Sequence, residues 1–392
     1  MEKVFVAGVG MARFSKPSER VPYRVMGGEA IRAALADAGI GYELVQQAYA
    51  SYIFGETCSG QRVLYDVGLT QIPVFNVNNA CASGSSALYL GRQAIASGQA
   101  ECVLVVGFEQ MQSGAIQLGA EDRETPTLHW TQRYDELGVE TSAGAIRMFG
   151  SAGAQYLDQY GASPELFAKV AVKNRAHAAA NPFALFNAPL TVEDVMRSPR
   201  IFGDYLTRLM ACPPTCGSAS AILCSESFAR GHAINRPVQI RAQAMATDGP
   251  ETWDDPIHMI GAHMTLTAAN LVYAAAGVGP TDVQVIELHD CFATNEVVTY
   301  EGLGLCGLGE ASRIVADGDN TWGGKWVINP SGGLMSKGHP IGATGVAQCA
   351  ELVWQMRGEA GARQVPNARL GLQHNLGIGG AAVVTLYASA RC

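Results

Sequence analysis

Charge is the scarcest ingredient of this sequence: 16% of its 392 residues are charged, against about 25% in an average domain. With 48% hydrophobic residues, that scarcity excludes intrinsic disorder, because little self-repulsion opposes a large buried core. The charge present is acidic, a formal −8, which excludes nonspecific nucleic-acid binding through a basic surface. Ten cysteines are too few for a disulfide scaffold in a chain this long, so reduced thiols in a reducing compartment are expected. Targeting signals are wanting too. The first residues alternate like a strand and lack the apolar core and cleavage site of a signal peptide. The uncharged stretch between Arg369 and Arg391 is long enough to span a bilayer. Gln373, His374, Asn375 and glycines 377, 379 and 380 make it a better buried strand–turn–strand. Ser389-Ala390-Arg391-Cys392 is neither a peroxisomal tripeptide nor a good prenylation box. A soluble cytoplasmic protein is expected, peroxisomal only by a route not visible here, with no membrane or nucleic-acid partner.

Common cofactor and catalytic motifs are also missing. Gly323-Gly324-Lys325-Trp326 lacks the Ser/Thr that completes a phosphate-binding loop, and no serine sits in a GxSxG elbow. Gly302 to Gly307 matches GxGxxG but follows an expected helix (295–301), so it fails the dinucleotide context. Cys212 and Cys216 have no second cysteine/histidine pair beside them, so no metal is expected. Acyl chemistry through a thiol is what remains.

Three textures divide the chain. Over 1–110 short apolar runs (4–10, 47–55, 73–78, 101–109) alternate with helical stretches (26–39, 61–69, 81–98). That alternation predicts a buried, mostly parallel sheet. Over 111–211 the pattern loosens: charges cluster from Glu121 to Glu124, prolines recur, and an inserted, mostly helical segment is expected. Residues 212–232 return to the first unit as a strand running into a helix. From 233 to 392 the first pattern repeats, with strands at 238–246, 283–290, 368–375 and 381–387 and helices at 268–279 and from 338. The halves read as a diverged duplication.

Four polar clusters sit at comparable strand ends. Cys81 follows Asn78-Asn79-Ala80 and opens a helix of small residues, where the macrodipole favours thiolate. It reads as a nucleophile or as a buried small hydrophobe. His339, flanked by Gly338 and followed by Pro340 at a helix start, could serve such a thiol as a base or be a hydrogen-bonded bystander. His289-Asp290-Cys291-Phe292 ends an apolar strand where parallel sheets open their ligand sites. His374-Asn375-Leu376-Gly377 ends another.

Together NNACASGSSAL, ELHDCFATNE, NPSGGLMSKGHPIGATG and LQHNLGIGGAAVVTLY resemble the thiolase superfamily, and HDCF and HNLG resemble its sterol-carrier-protein branch. The resemblance spans the chain, without the lipid-transfer domain that some members carry. It implies an α/β fold: the thiolase fold, with duplicated α/β halves in a five-layer αβαβα sandwich and an inserted loop domain. It implies a homodimer, with a tetramer as the alternative, and coenzyme A as co-substrate with no tightly bound cofactor. By motif, Cys81 would be the nucleophile toward a 3-oxoacyl-CoA and His339 its base. Cys291 would be the second acid/base, His289 an oxyanion donor, and His374 and Gly377 supporting or oxyanion groups. His374 stands where relatives carry a second catalytic cysteine, so Cys291 would substitute for it. The motif does not fix Arg123, Arg133 and Arg147, which could meet the CoA phosphates or form surface salt bridges; Cys216 stands where relatives often have aspartate, a departure in the CoA-contacting loop Cys212 to Gly217. Two other readings stay open. One is a CoA-independent retro-aldolase, of a kind that lacks the nucleophile and binds a small acyl-CoA-binding protein; the other is a non-catalytic acyl-CoA or lipid carrier.

Overall fold

Among the described residues, twelve strands carry the architecture: β1 (Val4–Met11), β2 (Gln47–Ser51), β3 (Val74–Val77), β4 (Cys102–Glu109), β5 (Arg200–Phe202), β6 (Leu206–Thr207), β7 (Gly217–Ser225), β8 (Val238–Ala246), β9 (Val285–Glu287), β10 (Val327–Ile328), β11 (Leu370–Gly377) and β12 (Ala381–Ala388). The computed structural model describes residues 2–114 and 122–389, so Glu121 and the last three residues, 390–392, lie outside the described residues. Ten strands pair in the order β10-β9-β11-β12-β8-β1-β7-β4-β2-β3, and β5–β6 form a separate ribbon.

The order contains the duplication. In the first half β1 is antiparallel to β7, β7 to β4, while β4–β2 and β2–β3 are parallel. In the second, β8–β12 and β12–β11 are antiparallel, while β11–β9 and β9–β10 are parallel. Ranked within its half, each run reads first-fifth-fourth-second-third. Pattern without residue identity was enough to find the repeat, because both halves cover two sheet faces with helices. The halves join edge to edge, β1 against β8, over Val4↔Ile240, Phe5↔Gln239 and Val6↔Val238.

Helices Ser83–Ala96 and Thr344–Arg357 form the middle layer, with contacts to strands of both halves. Helices Tyr23–Ala38 and Ala262–Ala276 cover the outer faces. β4 shows why its strand is apolar throughout. Val103 and Val105 join the central cluster, while Leu104, Val106 and Phe108 join the outer one with Ile31 and Leu35. The middle helices approach closely: a Cβ on Gly345 would lie 2.3 Å from the Ser85 amide nitrogen.

Several elements differ in extent from expectation. β9 stops at Glu287, so His289 and Cys291 lie beyond the strand. The helix after His339 begins only at Thr344, after a single 3-10 turn at Ile341–Ala343. Pro340 is therefore not a first helical residue, and His339 instead bridges Pro214 in an extended segment entered through Gly338 at φ +120°. The segment between β4 and β7 is helical as expected (Leu128–Glu136, Gly144–Tyr160, Glu165–Ala178, Val192–Arg197) but adds the β5–β6 ribbon. Asn174 ties it to the second half, donating to Asp290 Oδ2 at 2.8 Å and Glu296 Oε2 at 2.6 Å beside the buried Lys173–Glu296 pair.

Candidate active site

Cys81 leaves β3 through a strained turn. Ala80 adopts φ +47°, a left-handed conformation that an alanine holds only when its surroundings impose it. The turn is imposed by the Asn79 N–H donating to Ser83 Oγ at 2.8 Å and Asn79 Nδ2 donating to Ser86 Oγ at 3.0 Å. The helix begins at Ser83, so Cys81 precedes it rather than opening it. The helix end does not lower its pKa as expected. Burial, helped by the carboxyl of Glu109, pushes the thiol up to about 12, against the pull of the Cys81 and Ile378 main-chain N–H groups on the sulfur. Cys81 rests protonated, and its chemistry needs a base.

His339 is the candidate. Thr344 Oγ1 donates its proton to Pro340 O at 3.0 Å, so at 2.7 Å from His339 Nδ1 the hydroxyl accepts. Nδ1 then carries the ring proton, and Nε2, buried and without a protein partner, keeps a lone pair. Burial holds the ring neutral, lowering its pKa to about 3. His289 stands edge-on to it, ring centroids 5.0 Å apart. The Asn375 amide nitrogen lies 3.0 Å from His289 Nδ1, which therefore accepts, and the proton of this neutral ring sits on Nε2. Cys81 Sγ and one nitrogen of each imidazole lie within 4.8 Å of one another. The sulfur thus lies near one imidazole with a free lone pair and one with a free N–H.

A cavity of about 590 Å³ opens on this cluster. Ile146, Phe149, Ile201, Leu209, Phe292 and Leu376 give it apolar walls, and Cys291 and Cys212 add two more thiols. Cys212 N–H donates to Cys291 O at 2.8 Å, and burial raises both thiol pKa values. Residues 4–198 match the family profile "Thiolase, N-terminal domain" and residues 256–388 the profile "Thiolase C-terminal domain-like". The chain belongs to the thiolase family. It is 51% identical over 392 residues to "Sterol carrier protein 2" of Gallus gallus, covering 98% of this chain and 72% of that relative. It is 35% identical over 399 residues to "Benzoylsuccinyl-CoA thiolase subunit BbsB" of Thauera aromatica, covering 100% and 98%. A solved structure, "Ltp2-ChsH2(DUF35) aldolase", superposes with a TM-score of 0.84 at 25% identity, covering 99% and 98%.

The thiolase cavity sorts the remaining sequence candidates. His374 does not line it: Nε2 pairs with Thr265 Oγ1 at 3.0 Å, and Nδ1 accepts from the His289 main chain at 3.5 Å. Leu376, two residues on and on the same face of β11, lines the space, whereas His374 is covered by Thr265 and the His289 main chain. His374 thus contacts Thr265 and the His289 main chain rather than the cavity. Gly377 packs against the Cys81 turn. Arg123, Arg133 and Arg147 are occupied elsewhere: by Asp122 at 2.7 Å, by Glu136 and the Trp253 carbonyl, and by Asp135 and the Val139 carbonyl. Arg175 and exposed Arg208 line the cavity instead. Sequence reasoning missed Thr344, Ser85, Arg175 and Arg208. Thr344 had a signal, being a hydroxyl five residues after a glycine-flanked histidine; the arginines had none.

Proposed function

We propose that this chain cleaves, or in reverse forms, a 3-oxoacyl-CoA with free CoA through an acyl-enzyme on Cys81. The observation that carries the reading is the Cys81 sulfur within 4.8 Å of a nitrogen of each of two imidazoles, on an apolar cavity that also holds Cys291. His339 Nε2 takes the Cys81 proton, and the thiolate attacks the 3-oxo carbon. The C2–C3 bond then breaks with its electron pair moving into an enolate whose oxygen needs a donor. His289 Nε2–H is that donor. The Cys291 thiol protonates the enolate carbon, releasing acetyl-CoA and leaving a thiolate, while the acyl group shortened by two carbons stays on Cys81. The N–H groups of Cys81 and Ile378 hold the acyl oxygen on Cys81. Incoming CoA gives its thiol proton to Cys291 and attacks the acyl-enzyme. Cys81 departs as thiolate and recovers its proton from His339.

The apolar walls suit a fatty, branched or sterol side-chain acyl group, in degradation rather than synthesis, with CoA a substrate and no tightly bound cofactor. The reading divides the chain into halves 1–110 with 212–232 and 233–392, around an inserted unit 111–211. Edge strand β3, with Phe75 47% exposed, offers the face for a homodimer. The test is intact mass after incubation with a 3-oxoacyl-CoA lacking free CoA. An acyl adduct is expected on the wild-type chain and not on Cys81→Ala, and turnover by the variant would refute the reading. The likeness to a solved aldolase favours a second reading: cleavage of a 3-hydroxyacyl-CoA without free CoA. Product formation that neither needs CoA nor acylates Cys81 would establish it.

A further inference from the structure

The donor state of His289 is set by side chains reaching from both halves of the molecule. Tyr387 Oη donates to Gln373 Oε1 at 2.7 Å, so the Gln373 amide nitrogen is turned toward Ser85 Oγ at 2.8 Å and Gly345 O at 2.6 Å. Ser85 Oγ accepts there and gives its own proton to Asn375 Oδ1 at 2.8 Å. With its oxygen engaged, Asn375 can present only its amide nitrogen to His289 Nδ1, and an amide nitrogen only donates. Every link is buried, and a flip at any one would set two donors or two acceptors face to face without water to separate them.

The same cluster has three ligands of a Cys/His metal site, with one position open. Zinc binds a nitrogen lone pair, and His339 Nε2 offers one. His289 Nε2 does not while Asn375 donates to the opposite nitrogen, because its proton would first have to move to Nδ1 and oppose the amide N–H. We propose that Asn375, oriented by Ser85 and Gln373, is a positioning residue that reserves His289 Nε2 as a donor. By doing so it denies the Cys81–His289–His339 cluster to divalent zinc. The use made of the donor rests on the thiolase reading above; the tautomer and the metal exclusion do not.

The test pairs nitrogen-15 spectra of histidine-labelled protein with zinc sulfate titrations. In the wild-type chain the His289 proton is expected on Nε2. Asn375→Asp keeps the shape and the Ser85 bond but accepts where asparagine donates, which moves the proton to Nδ1 and frees Nε2. That variant is expected to bind zinc at least about tenfold more tightly, a gain lost in the Cys81→Ala background. Its kcat/KM should fall about 10²-fold with little change in KM. A wild-type His289 protonated on Nδ1, or equal zinc affinity in folded wild-type and variant chains, would overturn the proposal. The wild-type spectrum needs no variant to fold. If CoA-dependent cleavage fails while the tautomer and zinc results hold, the thiolase reading falls alone.

Discussion

Gly377 ends β11 so close to Asn79 that a Cβ built on it would stand 2.3 Å from the Asn79 carbonyl oxygen. The last hairpin of the second half thereby props the turn that presents Cys81, the proposed nucleophile, in the first. The obstacle is backbone and cannot rotate aside, so Gly377→Ala must push the turn or the strand. A stability loss of about 1–3 kcal/mol is expected from overpacking. Displacing Cys81 by a fraction of an ångström adds a fall in kcat/KM of about 10²-fold. Urea denaturation and steady-state rates measure the two, and a fully active alanine variant would show that the turn does not lean on Gly377.

Thr344→Val keeps the side-chain volume but removes the group that accepts from His339 Nδ1. The imidazole is then free to place its proton on Nε2, the nitrogen proposed to take one from Cys81. The expected result is kcat lowered about 10- to 100-fold with KM for the acyl-CoA little altered. Thr344→Ser, which retains the hydroxyl, should recover most of the loss. If valine and serine behave alike, the hydroxyl has no part in setting the base.

How much of this was legible in the sequence depended on how local each cause is. The duplication showed because a strand covered on both faces must be apolar throughout, as β4 is. The four clusters around Cys81, His289, His339 and Asn375 showed because strand ends and glycines punctuate a sequence. That Leu376 lines the cavity and His374 does not could not show, since the two share a face of β11 and only the tertiary packing of Thr265 and the His289 main chain covers His374. The pKa of Cys81 was misjudged for a related reason: a helix start is visible in sequence, whereas burial beside Glu109 is a tertiary fact. The network through Gln373, Ser85 and Asn375 joins residues 288 and 290 positions apart, beyond any local pattern.

Of the two arginines lining the cavity, Arg175 is buried, donates to Ser336 Oγ at 3.1 Å and lies over the Phe186 ring. Arg208 is exposed and makes no ion pair among the described residues. Of the two, Arg208 is the one expected to meet a CoA phosphate. Arg208→Ala is expected to raise KM for CoA about tenfold with kcat unchanged, a loss in the range of one charge-assisted hydrogen bond. The difference should shrink in high salt, where exposed charges are screened. A KM indifferent to both the substitution and the salt would place the phosphates elsewhere.

The buried imidazoles also set the acid limit of the fold. Burial lowers His339 and His374 from the ordinary 6.5 to about 3 and lowers His289 as well. Between pH 6.5 and about 3 the unfolded chain therefore binds more protons at these sites than the folded one. Their contribution to stability is full above pH 6.5 and is lost as pH falls toward 3. His374→Asn removes one such proton from the difference while leaving the carboxylates, which titrate alike in both proteins. Its unfolding free energy should fall less steeply with acidification, by up to about 1.4 kcal/mol per pH unit. Urea midpoints at pH 7, 6, 5 and 4 give the two slopes. The variant will start lower at pH 7, having lost the Thr265 bond, and its curve should converge on the wild type as the pH drops. Parallel curves would mean that His374 is protonated in the folded chain, and the support it gives to the His289 main chain would have to be redrawn.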